Sequence, residues 1–368
     1  MMMVDDTLAL VVDTGSYSIK VGYSGAEKPQ KTFRTLAAYQ QNDELVVGNE
    51  ALKYATKRAI ISPVQHGIVR NWAIMERLWM HAFKNELNVS QMEHPVLLSE
   101  PPLNPKMHRE KVCQLMFENF NVPGLYMSPT SLLGLYGAGK TTGLAVDIGE
   151  GVAHAVPIND GTIYPHAIGR LDVGGNDVTS HLVSMIPDLD PKSYYSRVIA
   201  DEIKERYCYV AVNYKQQLKL IERDPEQYTK KYTLPDGKII TLMRECFEAP
   251  EILISPDIGG RYCPSLADIV YHSVRSCEPE VHKAMFTNIL LTGGSTLYEG
   301  FIERCEHEFK DAANENMAIK IVPNVKNRNL CVWSGGSIVA SLSTFQQMWV
   351  TKAEYEESGP TVIHRKCF

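Results

Sequence analysis

The chain has 368 residues, 44% hydrophobic and 22% charged, enough apolar material for a large buried core and more than one domain. A formal charge of −6 lacks the basic excess of a direct nucleic-acid binder, and no apolar run reaches bilayer-spanning length. Eight cysteines stand singly without a Cys-x-x-Cys pair, and Met1 to Asp6 has neither the basic nor the apolar stretch of a secretory leader, so reduced thiols in a cytosolic or nuclear protein are expected.

In chain order, Leu8 to Val12 is a short β-type run ending in Asp13-Thr14-Gly15-Ser16, and Ser18 to Tyr23 reads as the returning strand, with Lys20 in it. Gly134 to Thr141 satisfies the P-loop expression, which requires a strand before it and a helix after it. Here Ser131 to Tyr136 reads as the end of a helix and Gly143 to Val146 as a strand, so the context is inverted and the match is set aside. That second strand delivers Asp147-Ile148-Gly149-Glu150-Gly151, and Val152 to Ile158 returns from it carrying His154. A third apolar run, Asn288 to Leu291, ends in Thr292-Gly293-Gly294-Ser295. Leu297 to Lys310 then has helical spacing, with Phe301, Ile302, Cys305 and Phe309 apolar. Gly335-Gly336-Ser337 reads as a turn opening a helical stripe of Ile338, Val339, Leu342, Phe345 and Met348. Trp333, Tyr126 and Tyr136 read as core, His66, His94, His108 and His166 as structural or surface residues, and His364-Arg365-Lys366 as a solvated tail. Strands alternate with helices throughout, which predicts an α/β fold.

An Asp before a glycine turn is ordinarily no more than a turn starter. Two copies on equivalent hairpins, with a Gly-Gly turn as a third site, point to chemistry. A carboxylate at a strand tip suits Mg²⁺, a hard cation that keeps several waters and needs few protein ligands. Amide N–H groups of the glycine turns can hold phosphate oxygens, and Lys20 can reach the β- and γ-phosphates as a point charge. Asp13 and Asp147 are therefore the candidate metal residues.

These hairpins and the Thr292-Gly293-Gly294-Ser295 turn resemble the phosphate and adenosine motifs shared by actin, seventy-kilodalton heat-shock chaperones and sugar kinases. Many segments resemble actin itself, among them His66-Gly67-Ile68-Val69, Leu103-Asn104-Pro105-Lys106, Pro165-His166-Ala167-Ile168, Cys208-Tyr209-Val210-Ala211 and Ser341 to Trp349, and the likeness runs over essentially the whole chain. The resemblance implies an actin-like two-lobed ATPase fold with duplicated mixed five-stranded sheets flanked by helices. Residues 1–137 and 331–368 would form the small lobe and 138–330 the large one. ATP or ADP with Mg²⁺ would sit between them, with Gly15, Ser16, Tyr17 and Lys20 on the first phosphate turn and Gly149, Glu150 and Gly151 on the second. Lys204 and Glu205 match positions that contact ribose and base, and Gly293, Gly294 and Tyr298 would line the adenosine pocket.

The departures from the family bear on function. Thr130 stands where actin has the glutamine that orients the attacking water, which leaves Thr130, Glu150 and His154 as catalytic candidates and predicts slow hydrolysis. Tyr17 replaces a glycine, Ile148 a serine, and Asn329 a lysine near the adenine. Thr35 to Gly48 is shorter than the loop with which actin grips the next subunit. Ser255 to Ser265 carries Asp257, Gly259, Gly260 and Arg261 in place of an apolar plug. Only Asp5 and Asp6 stand for actin's acidic N-terminus. Tyr17 and Thr130 resemble the actin-related subunit of chromatin-remodelling complexes. The expectation is a cytoplasmic, cytoskeletal protein that assembles weakly, alone or with other actin-fold subunits, and meets actin-binding proteins. The alternative is a non-polymerising subunit of a multi-subunit complex, with a nuclear location. No membrane and no direct nucleic-acid contact are expected.

Overall fold

Leu10–Thr14 (β1) is apolar over its first three residues because both of its faces are covered there: Leu10 and Val12 enter one core, Val11 another. The computed structural model describes residues 7–313, 318–323 and 325–367, so Asp5 and Asp6 lie outside it. In chain order the elements that shape the molecule are β1, β2 (Ser18–Tyr23), β3 (Lys31–Arg34), β4 (Ala37–Tyr39), β5 (Leu45–Val47), α1 (Trp72–His81), β6 (Val96–Glu100), α2 (Lys106–Gln114), β7 (Gly124–Pro129) and α3 (Thr130–Gly137). They continue with β8 (Gly143–Ile148), β9 (Ala153–Asn159), β10 (Thr162–Ile163), β11 (Gly169–Leu171), α4 (Gly175–Met185), α5 (Tyr194–Tyr207), α6 (Glu245–Glu251), β12 (Ile289–Thr292), α7 (Phe301–Ala313), α8 (Cys331–Ser341) and β13 (Val350–Thr351). Among the described residues no helix is long and apolar enough to cross a membrane.

Two mixed sheets carry the fold. The first runs β13-β7-β6-β1-β2-β3, the second β10-β9-β8-β12 with β11 on the flank of β9. Each contains the same unit: an antiparallel hairpin, β1–β2 or β8–β9, with a parallel strand, β6 or β12, beside its first arm. The second sheet has the five strands expected; the first has six, because two residues after the 3₁₀ turn Ser343–Met348 add β13 at its edge. One large core packs Val12, Leu98, Trp79 and Phe120 beneath the first sheet, another packs Val146, Leu291, Leu182 and Ile203 beneath the second.

Helices α3 and α8 lie between the sheets. Leu133 of α3 joins Val11 of the first sheet and Trp333 of α8, while Leu135 joins Ala145 and Leu290 on the second sheet. The boundaries expected at 137/138 and 330/331 fall at the end of α3 and the start of α8. Gly335 and Gly336 do not form the turn expected of them but sit inside α8. A Cβ on Gly335 would lie 1.8 Å from the Leu133 carbonyl oxygen, and one on Gly137 2.2 Å from that of Cys331, so these glycines allow two helix backbones to touch.

The expected stripe also fails. Helix α8 ends at Ser341, Ser343–Met348 winds as a tight 3₁₀ turn, and Ile338 and Leu342 are about half exposed. The helix expected from Leu297 begins at Phe301. The basic tail is docked through His364 and Lys366, while Arg365 between them stays exposed. Ile363 and Cys367, one turn apart, bury in the first core, while His364 bonds Glu110 at 2.8 Å and Lys366 donates to the Trp349 carbonyl at 2.6 Å. All eight cysteines are free.

Candidate functional site

Between the lobes lies a cavity of about 800 Å³, and every sequence-predicted site residue lines it: Asp13, Gly15, Ser16, Tyr17, Lys20, Thr130, Asp147, Gly149, Glu150, Gly151, His154, Lys204, Glu205, Gly293, Gly294 and Tyr298. Such a volume falls in the range of small-molecule and cofactor sites. Asn329, at the substituted adenine position, lines it too.

The two hairpins reach the cavity in equivalent register. Asp13 pairs across its hairpin with Lys20, and Asp147 across the other with His154. The parallel neighbour strand supplies each carboxylate with a hydroxyl: Ser99 Oγ donates to Asp13 Oδ1 at 2.7 Å, and Thr292 Oγ1 to Asp147 Oδ1 at 3.1 Å. Thus the duplication apparent in the strand-and-turn pattern extends to the supporting groups. Ser99 carries no local signal in the sequence, since strand pairing alone brings it to Asp13, 86 residues away.

The charges are arranged for an anion and a cation together. Lys20 Nζ lies 2.9 Å from Asp13 Oδ2. Burial, with Asp13 nearby, pushes the Asp147 carboxyl up to about 6, against the pull of the Thr292 hydrogen bond. Two acidic groups facing one another at low exposure favour a bound cation. Among the described residues no three His, Cys, Asp or Glu side chains converge as metal ligands. Two carboxylates completed by water and phosphate oxygens form the donor set that Mg²⁺ favours, so the residues present fit it. His154 is 2% exposed, its Nε2 has no partner, and burial lowers its pKa to about 4, leaving a neutral imidazole aimed at the cleft.

The turns suit phosphate. Gly293 has φ +94°, and a Cβ there would sit 2.2 Å from the Ile148 carbonyl oxygen, so the third turn presses against the second only because it lacks a side chain. The turns are also tied to one another. Gly67 N–H donates to Ser16 Oγ at 3.2 Å, His66 Nδ1 bonds the Gly151 carbonyl at 2.6 Å, and Ser295 Oγ donates to the Gly149 carbonyl at 2.9 Å. His66 is therefore a positioning residue at the site, although its spacing announces no such role.

Deeper in the second lobe, Lys204 is buried and donates to Thr179 Oγ1 at 2.7 Å and Asp201 Oδ1 at 2.9 Å, with Glu150 Oε2 at 3.7 Å. Burial pulls the ammonium down, yet Glu150 and Asp201 outweigh it and hold it charged. Burial pushes the Glu150 carboxyl up to about 7, opposed by Lys204. Arg34 and Asp201, unassigned from the sequence, complete this network at 3.5 Å.

Fold, paired Asp hairpins and glycine turns thus agree with the resemblance drawn from the sequence. A family model described as Actin matches residues 4–368, essentially the full length, and the chain belongs to the actin family.

Proposed function

We propose that the protein holds ATP or ADP with Mg²⁺ in this cleft and assembles through its actin fold into weak, nucleotide-dependent filaments, alone or with other actin-fold subunits. Actin-family proteins generally bind these nucleotides with Mg²⁺. The observation that carries the reading is the pair of Asp hairpins opposed across one cavity, each carboxylate steadied by a hydroxyl from its neighbour strand. Asp13 and Asp147 would hold the metal, which neutralises phosphate charge. The first and second turns with Lys20 would take the phosphates, and Lys204, Glu205, Gly293, Gly294 and Tyr298 the nucleoside. Titration calorimetry with Mg-ATP tests this, and absence of binding overturns it.

Hydrolysis by this site would be slow. Thr130 is the first residue of α3 and its side chain lines the cavity, but it is shorter than the glutamine it replaces. Glu150 and His154 are the remaining groups able to relay a proton there. Thr130→Gln is expected to raise phosphate release about ten- to a hundredfold, the lower part of what one positioned group supplies. An unchanged rate would remove Thr130 from the catalytic set.

Two segments bear on assembly. Thr35 to Gly48 forms a short β4–β5 hairpin packed on its own small cluster of Leu36, Ala38, Val46 and Ala51. In the plug segment Arg261 is drawn onto Asp177, with Nη1 3.2 Å from the Asp172 carbonyl, which occupies its charge within the subunit. Tyr262 beside it is fully exposed at 101%, so the segment carries apolar area that its Asp, Gly and Arg content does not suggest. A head-to-tail filament needs two complementary surfaces on each subunit. With one shortened and the other reduced to Tyr262 and Ile258, most protein is expected to stay in the supernatant when micromolar samples are spun in Mg-ATP. Abundant long filaments would assign ordinary actin-like polymerisation instead. In the cell this reading places the protein in the cytoplasm with actin-binding proteins. Strict monomers would favour the second reading, a non-polymerising subunit of a larger complex with a nuclear location, which Tyr17 and Thr130 support.

A further inference from the structure

One ring of contacts joins the lobes at the outer rim of the cavity. Tyr17, in the turn between β1 and β2, donates its phenolic O–H to Glu205 Oε1 at 2.8 Å. Arg34, at the end of β3, lays its guanidinium 3.7 Å above the Tyr17 ring and reaches Asp201 Oδ2 at 3.5 Å. Asp201 and Glu205 stand one turn apart on α5 and so present both carboxylates to the first lobe together. At the start of the same helix, Tyr194 packs against the apolar cluster of Leu36, Ala38, Val46 and Ala51. Arg34 Nε is buried and has no hydrogen-bond partner among the described residues. Glu205 is exposed whereas Lys204 next to it is buried, so these contacts lie on the solvent side of the cavity, with Lys204 behind them.

We propose that Tyr17 and Arg34 of the first lobe, with Asp201 and Glu205 of α5, form a clasp across the cleft mouth that must open for nucleotide to enter or leave. The clasp rests on the nucleotide-site reading for what it retains, but not for its existence. Tyr17 is suited to the role because burial, with Asp201 and Glu205 nearby, drives its phenol upward, so it remains a hydrogen-bond donor at any physiological pH. The cation above its ring adds an attraction that strengthens where water is excluded. Each bond is individually weak enough to break on the time scale of a lobe motion, and the four groups together make opening the slow step.

A gate has a kinetic signature that a direct ligand contact lacks. Opening precedes both binding and release, so loosening the clasp speeds both, and affinity changes less than either rate. Stopped-flow exchange of a fluorescent ATP analogue on the full chain, with Tyr17→Phe, Arg34→Gln and the double variant, reads this directly. Each single substitution is expected to raise association and dissociation rates several-fold, and the pair about tenfold or more. A rise in dissociation alone would make Tyr17 and Arg34 nucleotide contacts and overturn the gate, as would unchanged rates. Small-angle X-ray scattering of the nucleotide-stripped proteins gives a readout independent of ligand. The wild type should keep its lobes together, and the double variant should show a larger radius of gyration; equal radii would overturn the clasp. If the analogue fails to bind the wild type at all, the nucleotide reading falls, and scattering still decides the clasp.

Discussion

Replacing Asp13 or Asp147 with alanine is expected to weaken Mg-ATP binding by about a hundredfold or more. Asp13 is 6% exposed, balanced by Lys20 at 2.9 Å and held by Ser99, so its removal strands a lysine in the cleft and deletes half of the cation site. Breaking a buried charge pair from one side costs the ligand-free fold about 3–5 kcal/mol, while each 1.4 kcal/mol lost from the cation site changes the dissociation constant about tenfold. Among the described residues Asp147 has no such counter-ion at hydrogen-bond distance; Thr292 is its bonded partner, and burial has already pushed its carboxyl up to about 6. Its alanine variant should therefore remain as stable as the wild type without ligand, yet bind Mg-ATP as poorly as the Asp13 variant. Thermal melts separate the two effects. Ligand at a thousand times its dissociation constant stabilises the folded state by about 4.1 kcal/mol, but a variant weakened a hundredfold by only about 1.4 kcal/mol at the same concentration, so Mg-ATP should raise the wild-type midpoint about three times as far as that of either variant. If either variant shifts as the wild type does, the metal assignment at that residue is wrong.

What was legible in the sequence follows from how local each signal is. The hairpins β1–β2 and β8–β9 and the strand β12 announce themselves because each apolar run ends in an Asp or a Gly-Gly turn within a few residues. Lys20 and His154 were found because they lie on the returning arms of those hairpins, and the register makes them counterparts. Groups delivered by distant strands left no such trace. Ser99 reaches Asp13 only through the β1–β6 pairing, and Arg34 reaches Asp201 only because the lobes face one another. Gly335-Gly336 was misread for a different reason. A pair of glycines marks a turn when nothing else is known, but here the missing side chains serve backbone contact between α3 and α8, which only the tertiary structure reveals. The same holds at the C-terminus, where three basic residues conceal the burial of Ile363 and Cys367.

Arg304→Met, in the second lobe away from the cleft, is expected to cost about 3–5 kcal/mol of stability. Arg304 on α7 is 6% exposed and donates Nη1 to the Ala211 carbonyl at 2.8 Å and to Glu251 Oε2 at 3.2 Å, Nη2 to Glu251 Oε1, and Nε to Glu308 Oε1 at 2.6 Å. Glu251, at the end of α6, is 1% exposed, so methionine leaves a carboxylate and a carbonyl without their donor inside the second lobe. An unpaired buried charge carries most of the expected cost, which is a large part of the 5–15 kcal/mol typical of a folded domain. The pH dependence identifies the cause. Even with Arg304 pulling it down, burial raises the Glu251 carboxyl from the ordinary 4.5 to about 7. Loss of the guanidinium can only move it further in that direction. A folded-state pKa above the unfolded one contributes stability that is complete below 4.5 and is lost as pH rises through the folded value. The variant should therefore lie closest to the wild type in acid and fall behind as pH climbs past neutrality. Adding Glu251→Gln removes the charge and should recover much of the loss at pH 8 while changing little at pH 5. Urea unfolding at the two pH values measures all four quantities. A deficit under about 1 kcal/mol, or one that is equal at both pH values, would show that the pair is not the ionic tie described.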